Sequence, residues 1–217
     1  MAYRYPRRSI WTAPLFVAIG VLCVMIEGVL QASDLDLAGA RRWRALAYQY
    51  GAFWPGLLHD WRPNFAAQPG VMFVSYAFLH GGLGHLIGNM ITLIALGAVA
   101  LERVGQARAA LIYSASALGG AALFGVMTNS GLPMVGASGA LFGLAGAWQY
   151  WVFAEMPKGP ERLWHLSRAA AALIALNIVL WWLMGGRLAW QTHLGGFLTG
   201  WVAAVWLTPK PAAPPAQ

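Results

Sequence analysis

The sequence predicts an all-α fold, a polytopic membrane bundle of six transmembrane helices. Three observations predict it. Of 217 residues, 59% are Ala, Val, Ile, Leu, Met, Phe, Trp, Tyr or Cys, where soluble domains reach about 45–50% even with Gly counted. Only 10% are charged, against about 25% in a soluble protein, too few to cover a water-soluble globule of this size. The apolar residues also gather into six stretches near the ~20 residues that a hydrocarbon core requires. These are Trp11–Leu30, Leu83–Leu101, Ala107–Met127, Ser138–Phe153, Ala169–Met184 and Trp190–Leu207.

The first stretch follows a basic head of Arg4, Arg7 and Arg8 and could be read as a signal peptide. Its apolar run is longer than the usual ~7–15 residues, and cleavage would leave five spans, so it is expected to stay as a helix. With the N-terminus inside, six spans place nine Lys and Arg on inner segments and five on outer ones. Four of those five lie in one long loop, and long loops translocate largely regardless of charge. Both termini are therefore expected in the cytoplasm. The net charge of +7 sets topology and meets anionic lipid, and nucleic acid is not expected as a partner. Cys23 is the one cysteine, so an internal disulfide is excluded.

The expected organisation is a cytoplasmic tail over 1–9, one six-helix membrane domain over 10–207 and a disordered Pro/Ala-rich tail over 208–217. The long first loop, 31–82, mixes Arg with Leu, Trp and Tyr, which suits short amphipathic helices in the outer interface. No repeat or second domain is found.

Polar groups inside a span are costly and point to function. Four stand out: His85 and Asn89 in the second span, Ser138 at the head of the fourth and His193 near the head of the sixth. Singly, each has a bland explanation as a back-bonded serine or as interhelical glue. Their heights argue otherwise. His85, Ser138 and His193 each stand 17 residues before Glu102, Glu155 and Lys210 respectively, the charges expected at the inner surface. At about 1.5 Å per residue all three lie about 25 Å above that surface, in one layer of a core about 30 Å thick.

The chemistry of that layer is acyl transfer. Ser138 follows Gly136 and Ala137, precedes Gly139 and opens a helix, whose unsatisfied N–H groups suit an oxyanion. His85 and Asn89, four apart, share one helix face and can donate to the same oxyanion. His193 is the general base. No acid completes a triad: Asp34, Asp36 and Asp60 lie in the first loop, Glu102, Glu155 and Glu161 near the inner boundary, and Glu27 in the first span. A Ser–His dyad with an imidazole oriented by packing is expected. Gly139, Gly143 and Gly146 on the fourth span, with Gly195, Gly196 and Gly200 on the sixth, suit the close helix approach that the dyad needs.

These residues resemble the rhomboid family of intramembrane serine proteases. The resemblance is carried by His80-Gly-Gly-Leu-Gly-His85-Leu-Ile-Gly-Asn89-Met90, by Gly136-Ala137-Ser138-Gly139 and by His193-Leu-Gly-Gly196-Phe-Leu-Thr-Gly200, in order in the second, fourth and sixth spans. It covers roughly residues 68–207. It implies Ser138 as nucleophile, His193 as base, an oxyanion hole of the Ser138 backbone, His85 and Asn89, and His80 supporting that network. It also implies transmembrane protein substrates cut near their outer ends, without cofactor or metal. The expected setting is the inner (plasma) membrane of a prokaryote. Two departures bear on detail. Val71 and Met72 stand where many members carry Trp-Arg, and Phe142 stands where many carry a Tyr against the catalytic imidazole. A metal site built from His80, His85 and His193 is the weaker reading, because His80 and His85 are five apart and no His-Glu-x-x-His is present. The alternative function is a non-catalytic rhomboid-like binding protein, whose kind typically lacks Ser or His at the dyad.

Overall fold

The computed structural model describes residues 10, 13–37, 41–129 and 131–209. The expected N-terminal tail, the start of the first span at Trp11, Lys210 and nearly all of the expected C-terminal tail lie outside them.

Eight α-helices follow one another among the described residues: α1 (Pro14–Asp34), α2 (Trp43–Gly51), α3 (Gln68–Ser75), α4 (Leu83–Val104), α5 (Gln106–Met127), α6 (Ser138–Glu155), α7 (Pro160–Leu183) and α8 (Trp190–Leu207). Among the described residues the β structure is an isolated bridge, Phe53 to Met134. Proline starts α1 and α7 at the first helical position, where its missing N–H costs nothing and its φ is preset. Gly105, at φ 77°, ends α4 and precedes the first residue of α5, a left-handed cap that a side chain would strain.

The boundaries differ from the sequence reading mainly at α7. It begins at Pro160 rather than Ala169, because Arg162, His165 and Arg168 extend the helix without being apolar. The first loop contributes α2, α3 and two short 3₁₀ turns, Pro55–Leu58 and Tyr76–Phe78.

Among the described residues four helices, α1, α4, α5 and α7, are long and apolar enough by themselves to cross a membrane. The other two long helices, α6 and α8, have 18 residues each and form the middle of the bundle with α5. Their packing is backbone to backbone. A Cβ on Gly196 would collide with the Gly139 carbonyl, and one on Gly200 with that of Gly143. Small residues permit this approach, as at other membrane-helix contacts. Around this centre Phe16, Leu93, Ile112, Leu141, Leu144 and Trp151 build the apolar core. At the far end, Arg103 of α4 pairs with Glu155 of α6, so these helices finish level. Helix α7 lies at the edge and buries none of its residues.

The first loop is fastened to α1. Arg44 of α2 donates to both oxygens of the fully buried Glu27, at 2.8 and 3.0 Å, and to Asp34 at 2.6 Å. These partners, Glu27 first, hold the Arg44 guanidinium above its ordinary pKa. Arg44 and Tyr48 also donate to the His80 carbonyl, at 3.0 and 2.7 Å. Glu27, a membrane carboxylate without a role in the sequence reading, is the anchor of this loop.

Candidate active site

Three helix beginnings meet at one level. Ser138 is the first residue of α6, His85 the third of α4 and His193 the fourth of α8. Equal depth therefore arises from helix register, with no long side chain needed to reach the others.

Ser138 Oγ lies 2.9 Å from His193 Nε2. The imidazole is buried, with 4% of its surface exposed. It stacks flat on Phe142, with ring centroids 4.0 Å apart and planes at 6°. Phe142 stands one turn after Ser138 on α6, so the serine and the ring that supports its partner come from one helix face. The approach of α8 depends on Gly139, where a Cβ would sit 2.6 Å from Thr192 Cγ2, and on Gly196, where a Cβ would strike the Gly139 carbonyl.

Gly136 brings His85 in. Its φ is 121°, a conformation side chains rarely adopt, and a Cβ there would stand 2.7–2.8 Å from the imidazole Cε1 and Nε2 of His85. Its N–H donates to the Tyr76 carbonyl at 2.9 Å, and Phe53 and Met134 exchange both backbone bonds at 3.0 and 2.9 Å. The strand of chain leading into Ser138 is thus tied to the first loop. The Gly81 N–H donates to His85 Nδ1 at 3.2 Å. A nitrogen that accepts carries no proton, so the proton of neutral His85 is on Nε2, the edge beside Gly136.

Asn89 lies one turn further along α4 and is buried, with its Nδ2 donating to the His85 carbonyl at 2.8 Å. That nitrogen keeps a second hydrogen for another acceptor, while Oδ1 is buried without a partner among the described residues. His80 is fully buried and meets His85 edge-on, at 5.3 Å between centroids. Its carbonyl is held by Arg44 and Tyr48. The structure therefore gathers Ser138, His193, Phe142, Gly136, Gly139, Gly196 and His85 into one cluster, with Asn89 and His80 directly behind His85.

One residue was missed by sequence reasoning. Asn177 of α7 brings Oδ1 to 2.7 Å from His193 Nδ1. Its signal was a strongly polar residue inside an apolar span, the same signal that singled out Asn89. It went unread because it belongs to no motif and lies 16 residues from His193 along the chain.

A family model described as Rhomboid domain matches residues 68–210. The chain belongs to the rhomboid family. It is 33% identical over 184 residues to RHOMBOID-like protein 2 of Arabidopsis thaliana, covering 82% of this chain and 50% of that protein. It is 32% identical over 155 residues to RHOMBOID-like protein 6, mitochondrial, of the same plant, covering 70% and 48%. It is 28% identical over 197 residues to the rhomboid protease GlpG of Yersinia pestis, covering 90% and 63%. The chain thus spans about half the length of these two plant relatives. All three motif segments fall inside the matched rhomboid region, and the apolar helices suit the multi-pass membrane setting of this helical bundle.

Proposed function

We propose that this rhomboid is an intramembrane serine endopeptidase that hydrolyses a peptide bond of transmembrane protein substrates. The observation that carries the reading is the 2.9 Å approach of Ser138 Oγ to His193 Nε2 at the head of α6. Such a pair is a nucleophile within reach of its base.

Nε2 takes the serine proton as Oγ attacks the scissile carbonyl carbon. The carbonyl oxygen becomes an oxyanion at the start of α6. The first backbone bond of α6 is donated by Leu141 to the Ala137 carbonyl, so the N–H groups before it lack intrahelical acceptors. The Ser138 N–H, His85 Nε2–H and the second hydrogen of Asn89 Nδ2 are the donors of the hole. The charge exists only after attack, so these bonds favour the transition state over bound substrate. His193 then protonates the leaving amine, and water attacks the acyl-serine by the same path in reverse. Phe142, Gly139 and Gly196 hold the imidazole in place, Gly136 admits His85, and His80 supports the histidine edge.

Residues 10–207 form the protease domain of six spans, α1 and α4 to α8, and 31–82 is a loop at the outer interface. The tails 1–9 and 208–217 lie in the cytoplasm, and the membrane is the inner membrane of a prokaryote. Purified protein exposed to a fluorophosphonate probe tests the reading. Labelling that disappears in Ser138→Ala, together with cleavage of a transmembrane substrate by the wild type alone, is expected. Absence of both labelling and cleavage in the wild type would instead leave a rhomboid-like binding protein.

A further inference from the structure

We infer that Asn177 is the positioning residue of this site: its side-chain oxygen holds His193 in the tautomer that leaves Nε2 free for Ser138. The inference rests on the reading of His193 as general base. Asn177 Nδ2 donates to the Leu173 carbonyl of its own helix at 2.8 Å. A peptide carbonyl only accepts, so the nitrogen of the amide faces Leu173 and the oxygen faces His193. That oxygen also only accepts. The 2.7 Å contact therefore requires the proton of neutral His193 on Nδ1. Nε2 is then a bare acceptor, 2.9 Å from the Ser138 hydroxyl.

Among the described residues no other contact of the ring makes this choice. The flat stack on Phe142 fixes the plane of the imidazole. It is indifferent to which nitrogen carries the proton and to rotation of the ring within that plane. Without Asn177 the Nε2–H tautomer competes, and it cannot take a proton from serine. Asn177 also accepts from the Nδ1–H of the imidazolium that forms during attack. It thereby fills the third place, orienting the base, that no Asp or Glu fills.

The position of Asn177 matters as well. Helix α7 is tied to α6 near its Pro160 end, where His165 Nε2 meets Gln149 Oε1 at 3.1 Å and the Arg162 guanidinium lies 3.5 Å over Phe153. In the half that ends at Leu183, the side-chain hydrogen bond joining α7 to another helix is Asn177 to His193, among the described residues.

The test uses full-length protein with ¹⁵N-labelled histidine in detergent micelles. His193 is assigned among the five histidines by its loss in His193→Gln. In the wild type the spectrum should report a single Nδ1-protonated form. In Asn177→Leu it should report a mixture, or the Nε2-protonated form. In kinetics Asn177→Leu should lower kcat roughly 10–100-fold, part of the 10²–10⁴ that a general base contributes, with KM little changed. Asn177→Asp, which keeps the acceptor, should recover most of kcat. Asn177→Ala serves if the leucine variant does not fold. An unchanged tautomer in the leucine or alanine variant overturns the inference, as does wild-type kcat or a loss confined to KM. An inactive wild type would defeat the protease reading instead, and the tautomer would still decide the part of Asn177.

Discussion

The chemistry proposed for this rhomboid turns on which atoms can give or accept one hydrogen. Ser138→Ala removes the nucleophile and His193→Ala the base. Each is expected to abolish cleavage of a transmembrane substrate while the purified protein keeps its wild-type helical circular dichroism. Normal turnover by either would sink the mechanism. Asn89→Ala should lower kcat by roughly 10–1,000-fold, the range of a lost oxyanion donor, and should change KM less. A pure KM effect would reassign Asn89 to binding or structure. Gly136→Ala belongs beside them. Its methyl would stand 2.7–2.8 Å from the His85 ring at a φ of 121°, so kcat should fall as His85 is pushed aside. Gly131→Ala, with nothing within 4 Å of the added atom, should leave kcat unchanged. Of these residues Ser138, His193 and His85 were singled out in the sequence as polar groups at one calculated depth, and Asn89 as the polar group one turn from His85 on the same helix face. Asn177 was not, because a hydrogen bond between α7 and α8 is a fact of packing.

At the scale of elements, α6 and α8 set the distance between serine and histidine, and their glycines set the distance between the helices. Gly200→Ala puts a methyl against the Gly143 backbone, which cannot rotate away as a side chain can. Overpacking of this kind costs about 1–3 kcal/mol, and the expected readouts are a lower Tm and reduced activity. Helix α7 is the opposite case, since it buries none of its residues, and among the described residues the side-chain hydrogen bond that holds its Leu183 half to another helix is Asn177 to His193. Trp181 is 50% exposed and lies 3.5 Å from a Cβ placed on Gly186, in the turn that leads to α8, while Trp182 is 74% exposed. If α7 yields to admit substrate, Trp181→Ala should raise cleavage of a transmembrane substrate more than that of a small soluble ester. It should do so more strongly than Trp182→Ala, whose ring is the more exposed of the two. Wild-type ratios in both would put substrate entry elsewhere.

Across the whole molecule, the first loop is joined to the site by polar contacts that run from Glu27 through Arg44 to the His80 carbonyl, and from there by the edge-on contact of the His80 ring with His85. Arg44→Ala leaves the Glu27 carboxylate buried without its cation. Removing one partner of such a pair costs about 3–5 kcal/mol. Thermal unfolding should show the loss, and kcat should fall as His80 loosens. A variant as stable as wild type would show that the loop is held by its apolar contacts, such as Leu79 against Leu30 and Ala52. Arg44 of α2 supplies the cation that fastens the first loop to Glu27.

Composition by itself determined the solvent of this protein, since an apolar fraction of 59% and a charged fraction of 10% leave too little polar surface to meet water. Periodicity and length determined the helices, and residue counting placed His85, Ser138 and His193 in one layer, because helical rise is nearly constant. Packing decided the rest. Hydropathy alone finds α1, α4, α5 and α7. The α6 and α8 segments were also counted among the six apolar stretches, but they are less apolar, because helices surrounded by other helices need small residues more than apolar ones. The partner of Glu27 and the partner of His193 Nδ1 were likewise beyond the sequence. Each is a contact between segments whose separation along the chain says nothing about their separation in space, and only close packing brings such groups within hydrogen-bond reach.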